Sequence, residues 1–392
     1  MKVAVDSFYL SLNKYCEELC GDKVAIVHTP ESFISVLADG LGSGVKANIL
    51  ATLTSTILAQ MLKNGVELHE AVYTLTSTLP TCKERQVAYS TFSTLQIFNN
   101  GEAVLIEFDN PKAIILRNGN EIEAVKHSIH IQNRLVIESR FKCKPNDVIV
   151  LVSDGVLHAG LGTILNFGWK RRDVIAHLRS TMRNNDHARD IGENLMVVVN
   201  DLYRNQPMDD STVLVARIVD RTKTVVMVGP PRKVEDDHDI VMKLLSADGK
   251  KIVCGGTTAQ IVSRFLKEEI QLDENISLNS DLPPMAKIRG IDLVTEGVLT
   301  LGRVGDLLVD CVASKQQLDH LCSIEAKDGA VKMVQMLLSE CSEIVFLAGL
   351  ADNPAHSQVA YSPLSLRFKV RLIERIAEHL RALGKIVSVV QC

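Results

Sequence analysis

The sequence predicts an α+β protein: an N-terminal α/β/β/α sandwich of two antiparallel sheets flanked by helices, then a smaller α/β domain. Three observations carry that expectation. Residues 93–98, 103–108 and 113–117 are short apolar runs separated by Asn99-Asn100-Gly101 and Asn110-Pro111, the pattern of an antiparallel meander. Helical spacing of apolar residues lies outside such runs, at 47–62, 67–79, 171–182 and 188–204, which places the helices on the outer faces of stacked sheets. From about residue 225 the pattern changes to strands alternating with helices.

In chain order, residues 24–28 and 33–38 flank the turn-type cluster Thr29-Pro30-Glu31-Ser32 and read as a hairpin. The helix over 47–62 fades near Asn64-Gly65, and the next one stops at Pro80. Residues 148–152 form an unbroken apolar strand that delivers Asp154 at its tip, and 212–219 is a closing strand. Gly229-Pro230-Pro231-Arg232-Lys233 reads as a linker or domain entry, so the expected domains are 1–222 and 223–392. Beyond it, strands are expected at 251–254, 291–294, 344–347 and 385–390. Helices are expected at 239–245, 259–268, 331–339 and 364–382, with another opening at 296.

Bulk properties bound the function. A chain of 392 residues exceeds one ordinary core. Its 43 basic and 47 acidic residues leave a net charge of -4, without the basic stripe of a nucleic-acid binder. None of the nine cysteines forms a CxxC pair, so reduced thiols in a cytoplasmic protein are expected rather than disulfides or zinc. The N-terminal stretch lacks the apolar core of a signal peptide, and no run of about 18 apolar residues predicts a membrane span.

The chemistry gathers on aspartates at strand ends: Asp39 in VLADGLGSG, Asp154 in VLVSDG, and Asp209-Asp210 in DDSTVLVARI. Hard cations need oxygen ligands on rigid elements, and strand ends provide them. Gly40 lets a backbone carbonyl approach a cation closely. A single Asp-Gly is ordinarily a turn, so the weight rests on the combination. The Gly-rich loop at 40–44 lacks both the Rossmann spacing and the Lys-Ser/Thr ending of a P-loop, which argues against a dehydrogenase or kinase.

Gly21-Asp22, Ala38-Asp39-Gly40-Leu41-Gly42-Ser43-Gly44, Val152-Ser153-Asp154-Gly155-Val156 and Asp209-Asp210-Ser211-Thr212 together resemble the metal-dependent (type 2C-like) protein phosphatases, in particular the bacterial SpoIIE branch. The resemblance spans about residues 1–220. It implies a serine/threonine phosphatase with two divalent cations, Mn²⁺ or Mg²⁺. Asp39 would bridge both metals, the Gly40 carbonyl and Asp154 would ligate one, and Asp209 would be the last acid. Asp22 would lie near the second metal, and Asp210 is the lesser alternative to Asp209, free to bond backbone at the strand start. No arginine precedes Gly21-Asp22 and no histidine lies near Asp39, which leaves the proton path of the eukaryotic members without a counterpart. The implied partner is a phosphorylated regulatory protein, anti-anti-sigma-like; a homodimer is also expected, and nucleic acid and membrane are not.

Two cations roughly 3.5–4 Å apart can activate water and orient a phosphate. No cysteine nucleophile is then needed, and Cys82 and Cys143 lack a phosphatase-type loop. Most histidines read as structural; His158, four residues after Asp154, can flank the site. Lys46 and Arg85 are candidates for steering a phosphorylated partner.

In the second domain, Gly255-Gly256-Thr257-Thr258 opens a helix after a strand, where amides can hold an anion or Thr can simply cap the turn. Glu296 and Asn353 also follow strands, where open α/β sheets place ligands. The alternative to an enzyme is therefore a regulatory or sensor protein with a phosphatase fold, whose C-terminal domain binds a small anionic ligand.

Overall fold

Strand β3 (Ser32–Gly40) shows why the first part of the chain layers as it does. Phe33 and Leu37 point to one buried cluster, and Ile34, Val36 and Ala38 to another. A strand apolar on both faces must be covered on both faces. Strand β10 (Val148–Val152) repeats the logic, with Ile149 and Leu151 inward and Val148, Val150 and Val152 outward.

The computed structural model describes residues 2–78, 90–131, 134–183, 186–272, 285–326, 328–351 and 363–392. The chain divides into two compact units, Met1–Asp220 and Arg221–Cys392.

In unit 1, one antiparallel sheet has the order β1 (Val3–Leu12), β11 (Ser211–Asp220), β10, β6 (Ile114–Arg117), β7 (Asn120–Glu121). The other runs β2 (Asp22–His28), β3, β4 (Ser90–Phe98), β5 (Glu102–Phe108), β9 (Arg134–Lys142), β8 (Val125–Ile131). The sheets share the core containing Leu37, Leu95, Leu151 and Leu214. Helices α1 (Gly44–Lys63) and α2 (Leu68–Thr78) cover the second sheet, and α3 (Asp154–His158), α4 (Arg171–Thr181) and α5 (Ala188–Leu202) the first. The β6–β7 turn places Asn118 and Gly119 at φ 50° and 74°, the left-handed pair that a two-residue hairpin requires.

The expected hairpin and helices of this unit are present, but the expected meander is corrected: β4 pairs with β5, whereas β6 crosses to the other sheet, where its Ile114, Ile115 and Leu116 pair with β10 and are covered on both faces. The unexpected strands are β1, β8 and β9. β1 pairs with β11 along its whole length, Val3 opposite Asp220 and Leu12 opposite Ser211, so its partner lies some 200 residues away. Among the described helices, α1 alone is long and apolar enough to cross a membrane by length and composition, although no unbroken apolar run signalled it. Its Ala47, Ala51, Leu58 and Leu62 are buried against the sheet.

In unit 2, a seven-stranded sheet has the order β14 (Gln271–Leu272), β15 (Met285–Ile288), β16 (Ile291–Thr295), β13 (Lys250–Cys254), β12 (Lys223–Val228), β17 (Glu343–Ala348), β18 (Ile386–Gln391). From β16 to β18 the strands are parallel, and β14 and β15 are antiparallel additions at one edge. α6 (Asp237–Leu245) and α7 (Gly256–Leu266) cover one face. α8 (Val298–Ala313), α9 (Lys315–Ser323), α10 (Gly329–Ser339) and α11 (Pro363–Ala382) cover the other. The linker expectation for Gly229–Lys233 is corrected: β12 precedes it as the central strand, and Gly229-Pro230 is its first loop. Gly349 packs so tightly there that an added Cβ would meet the Pro230 carbonyl oxygen at 2.1 Å.

Candidate metal centre

Both sheets of unit 1 end in acids. Asp22 opens β2 and stands directly opposite Asp39 near the end of β3. Asp154 follows β10, and Asp209-Asp210 precede β11, the strand paired with β10 through Val152 and Val213. Like charges facing each other across a ladder repel. Burial aggravates the repulsion and pushes the Asp39 carboxyl up to about 9, helped by the charges of Asp22, Asp154, Asp209 and Asp210. Burial likewise raises Asp22 to about 7. The Ser153 and Thr212 hydroxyls pull it down, and the charges of Asp210 and Asp154 push it up. Those hydroxyls act without reaching hydrogen-bond geometry: Asp22 is 2% exposed and neither of its oxygens has a partner. Asp209 is raised by burial and then by Asp154. Among the described residues, none of these acids pairs with a lysine or arginine at salt-bridge distance.

The acids divide by function. Asp154, His158 and Asp209 each present a ligand atom within 4.8 Å of the others. His158 Nδ1 lies 4.0 Å from Asp154 Oδ2, and both side chains are about half exposed, at 52% and 49%. Asp22 is the buried member of the same charged cluster, and Asp39 stands half-buried beside it. Asp210 stands apart: its Oδ1 accepts the Lys14 amide at 3.0 Å and its Oδ2 the Gly21 amide at 2.9 Å. Of the two adjacent aspartates, Asp209 is half-buried and its Oδ1 accepts the Asp210 amide at 3.0 Å, whereas Asp210 spends both oxygens in clamping the loop that carries Asp22.

The backbone is held as closely as the acids. A Cβ on Gly40 would lie 2.0 Å from the Ala47 carbonyl oxygen, and one on Gly155 2.1 Å from the Asp210 carbonyl oxygen, so only glycine fits at either place. Ser90 donates its hydroxyl to the Asp39 carbonyl at 2.7 Å. Tyr203 donates to the Gly155 carbonyl at 2.7 Å, pinning the start of α3. Ser153 Oγ accepts the Thr212 amide at 2.8 Å, and Thr212 shares a 2.7 Å bond with Ser11. Ser90 and Tyr203 were not found by sequence reasoning, and Ser153 was named only within a motif, without a role. Their signals are single polar residues whose partners are long-range, and nothing local marks them.

The residues fit a hard divalent cation. Orphaned, buried carboxylate oxygens at Asp22 and a repelling cluster around Asp39 are stabilised by positive charge and by little else. A thiol mechanism has no support: burial raises Cys143 and Cys20 to about 12. Cys82 and Arg85 lie outside the described residues, as does Asn353. Of the second-unit residues, Gly255 sits between β13 and α7, Gly256, Thr257 and Thr258 form the first turn of α7, and Glu296 lies between β16 and α8.

Comparison with known proteins concerns the same part of the chain. Residues 29–219 match the model of the SpoIIE family, stage II sporulation protein E. The chain is 24% identical over 213 residues to stage II sporulation protein E of Bacillus subtilis (strain 168), covering 53% of this chain and 25% of that protein. It therefore spans a quarter of that relative's length. Among solved structures, the PP2C phosphatase domain of SpoIIE from Bacillus subtilis, with a fragment of its regulatory domain, aligns at TM-score 0.49 and 20% identity. That alignment covers 56% of this chain and 65% of the other. RsbX in complex with magnesium aligns at TM-score 0.41 and 15% identity over 55% and 95%. The segment that matches the SpoIIE family model, 29–219, carries Asp39, Asp154, Asp209 and Asp210, and Asp22 lies before it.

Proposed function

We propose that unit 1 is a metal-dependent protein serine/threonine phosphatase that hydrolyses phosphoserine or phosphothreonine on a regulatory protein. The observation that supports this best is the acidic cluster at one end of two sheets, with Asp22 buried, Asp39, Asp154 and Asp209 half-buried, and no lysine or arginine at salt-bridge distance among the described residues. Asp22, Asp39, the Gly40 carbonyl, Asp154 and Asp209 would hold two cations, Mn²⁺ or Mg²⁺. Divalent cations supply neutralisation of phosphoryl charge and a water nucleophile at neutral pH.

The chain's own residues do the rest. Asp210 and Tyr203 fix the loops that carry Asp22 and Asp154, so the ligand oxygens need no reorganisation. Half-exposed Asp154 and His158 mark the side from which a phosphorylated chain enters. His158 adds a nitrogen donor at that rim. Imidazole nitrogen suits Mn²⁺ better than oxygen-demanding Mg²⁺, so we read Mn²⁺ as the favoured ion.

The test is hydrolysis of a phosphoserine peptide by the full chain with Mn²⁺, with and without chelator, and by the Asp39→Asn variant. Turnover that chelation and the substitution both abolish is the expected result. Turnover indifferent to chelator would overturn the proposal.

A further inference from the structure

Unit 2 contains a second polar concentration, away from its apolar clusters. β13 and β16 are adjacent and parallel, yet their connections leave to opposite faces of the sheet. α7 buries Ala259 and Val262 on one side, and α8 buries Leu301, Val304 and Leu308 on the other. Where neighbouring connections diverge in this way, a crevice opens outside the carboxyl edge of the sheet. The equivalent divergence between β12 and β17 is closed by Gly349 packed on the Pro230 carbonyl. Between β13 and β16 the loops are glycines side by side: a Cβ on Gly297 would stand 3.5 Å from the Gly255 Cα.

Each of those glycines is the N-cap of its helix, and neither helix receives a side-chain cap. Two sets of first-turn amides therefore face one opening, with the positive ends of two helix dipoles. An independent observation points to a ligand. Thr258 and Thr300 occupy the same position in the two helices and are 1% and 0% exposed; neither hydroxyl has a partner. Thr258 Oγ1 is directed back at Gly255, 3.2 Å from where a Cβ would lie there. Buried hydroxyls left unpaired are costly, and an acceptor placed between the two helix starts relieves both.

Glu296 sets the ligand's chemistry more narrowly. Its Oε2 is buried without a partner in the loop that leads to α8. Its backbone carbonyl is held by the Cys254 thiol at 3.1 Å and the Thr295 hydroxyl at 3.0 Å. A bare multivalent anion would meet that carboxylate with repulsion. A molecule that places a hydroxyl next to its phosphate donates a hydrogen bond to it instead. Space for entry lies at Gly256, where an added Cβ meets nothing within 4 Å.

We propose that the crevice between the N-termini of α7 and α8 binds a phosphorylated sugar, free or within a nucleotide: its phosphate lies on the two helix starts and Thr258 and Thr300, and a sugar hydroxyl lies on Glu296. The test is calorimetric titration of the full-length chain, in chelator so that unit 1 holds no metal. The probes are ribose 5-phosphate, adenosine 5′-monophosphate, ribose and inorganic phosphate. At least one phosphorylated ribose binds saturably, inorganic phosphate binds tenfold or more weakly, and ribose alone does not bind. Ribose 5-phosphate without the nucleotide identifies a free sugar phosphate; the reverse identifies a nucleotide. Gly256→Val fills the entry and weakens binding at least tenfold. Thr258→Val keeps the side-chain shape, removes only the hydroxyl, and weakens binding about fivefold, the effect of one lost hydrogen bond. Failure of both phosphorylated riboses to bind, inorganic phosphate binding as tightly as the esters, or wild-type binding in both variants would overturn the assignment.

Discussion

Replacing Asp39 by Asn tests whether the acidic end of unit 1 is a metal centre or an ordinary piece of fold. Asp39 faces Asp22 across the ladder, and its carboxyl is raised from an ordinary 3.8 to about 9 by burial and then by its acidic neighbours. A carboxyl raised on folding favours the folded state only below its unfolded pKa, and that contribution is lost as pH climbs toward the folded value. Without metal, unit 1 should therefore lose stability from about pH 4 to about pH 9. pH 7 lies about three units above the ordinary 3.8 and still below the raised value, and each unit costs about 1.4 kcal/mol, giving a ceiling of about 4 kcal/mol. Partial solvent access and sharing of the proton with Asp22 reduce this to about 2 kcal/mol.

Asn keeps the shape and removes the charge. In a unit of this size, about 2 kcal/mol raises Tm by about 4–8 °C. The assay is scanning calorimetry of the full chain in chelator at pH 4.5, 7 and 8.5, following the transition that Mn²⁺ shifts in the wild type. The variant should melt with the wild type at pH 4.5, above it at pH 7 and further above it at pH 8.5. It should also lose most of the Mn²⁺-induced shift. A variant that melts lower at pH 7, or by the same difference at every pH, would show that Asp39 serves the fold and would refute the reasoning.

Three further outcomes are expected. Tyr203→Phe removes the donor to the buried Gly155 carbonyl and should lower stability by about 1–2 kcal/mol, read as a fall of about 2–8 °C in the melt of unit 1. An unchanged melt would mean that water replaces the bond. Gly40→Ala drives a Cβ into the Ala47 carbonyl, so the β3–α1 connection must shift and Mn²⁺ affinity should fall at least tenfold in a calorimetric titration. His158→Ala should reduce the ratio of Mn²⁺-supported to Mg²⁺-supported peptide hydrolysis; an unaltered ratio would remove His158 from the metal set.

The parts of this fold that were legible in the sequence are those whose instructions are local. β3 and β10 are continuous apolar runs because both faces are covered, and their terminal Asp-Gly pairs stand out against them. β1 was not legible. VAVDSFYLSL has a mixed pattern, and its partner β11 lies at the far end of the unit. β8 and β9 carry polar residues such as Lys126, His127 and Arg140, which suit strands toward the sheet's edge and read as loop. β12 was hidden because its apolar run closely follows β11, separated by only two residues. At the site, the sequence ranked Asp209 above Asp210 and left Asp210 to bond backbone, without saying which backbone. Two backbone amides, from Lys14 and Gly21, separate their roles, and neither is visible from residue 210. In unit 2 the glycine-led helix starts were legible. Which of them share a crevice depends on the faces to which α7 and α8 depart.

The acidic cluster also explains why the surrounding contacts are so demanding. A fold that gathers Asp22, Asp39, Asp154 and Asp209, with no lysine or arginine at salt-bridge distance among the described residues, opposes itself until positive charge arrives. Left to relax, such acids would move apart, and backbone at strand ends is where movement is easiest. The observed geometry blocks that escape at three of the four. Asp210 ties the Asp22 loop through two amides, Ser90 holds the Asp39 carbonyl, and Tyr203 holds the turn after Asp154. Gly40 and Gly155 allow the backbone to close to distances that any side chain would forbid. These restraints lie on different strands and different loops, so their combined effect is to keep the charges together before a cation binds. Preorganisation of this kind shifts the cost of assembling the site from the binding step to the folding step, where the apolar cores of both sheets offset it.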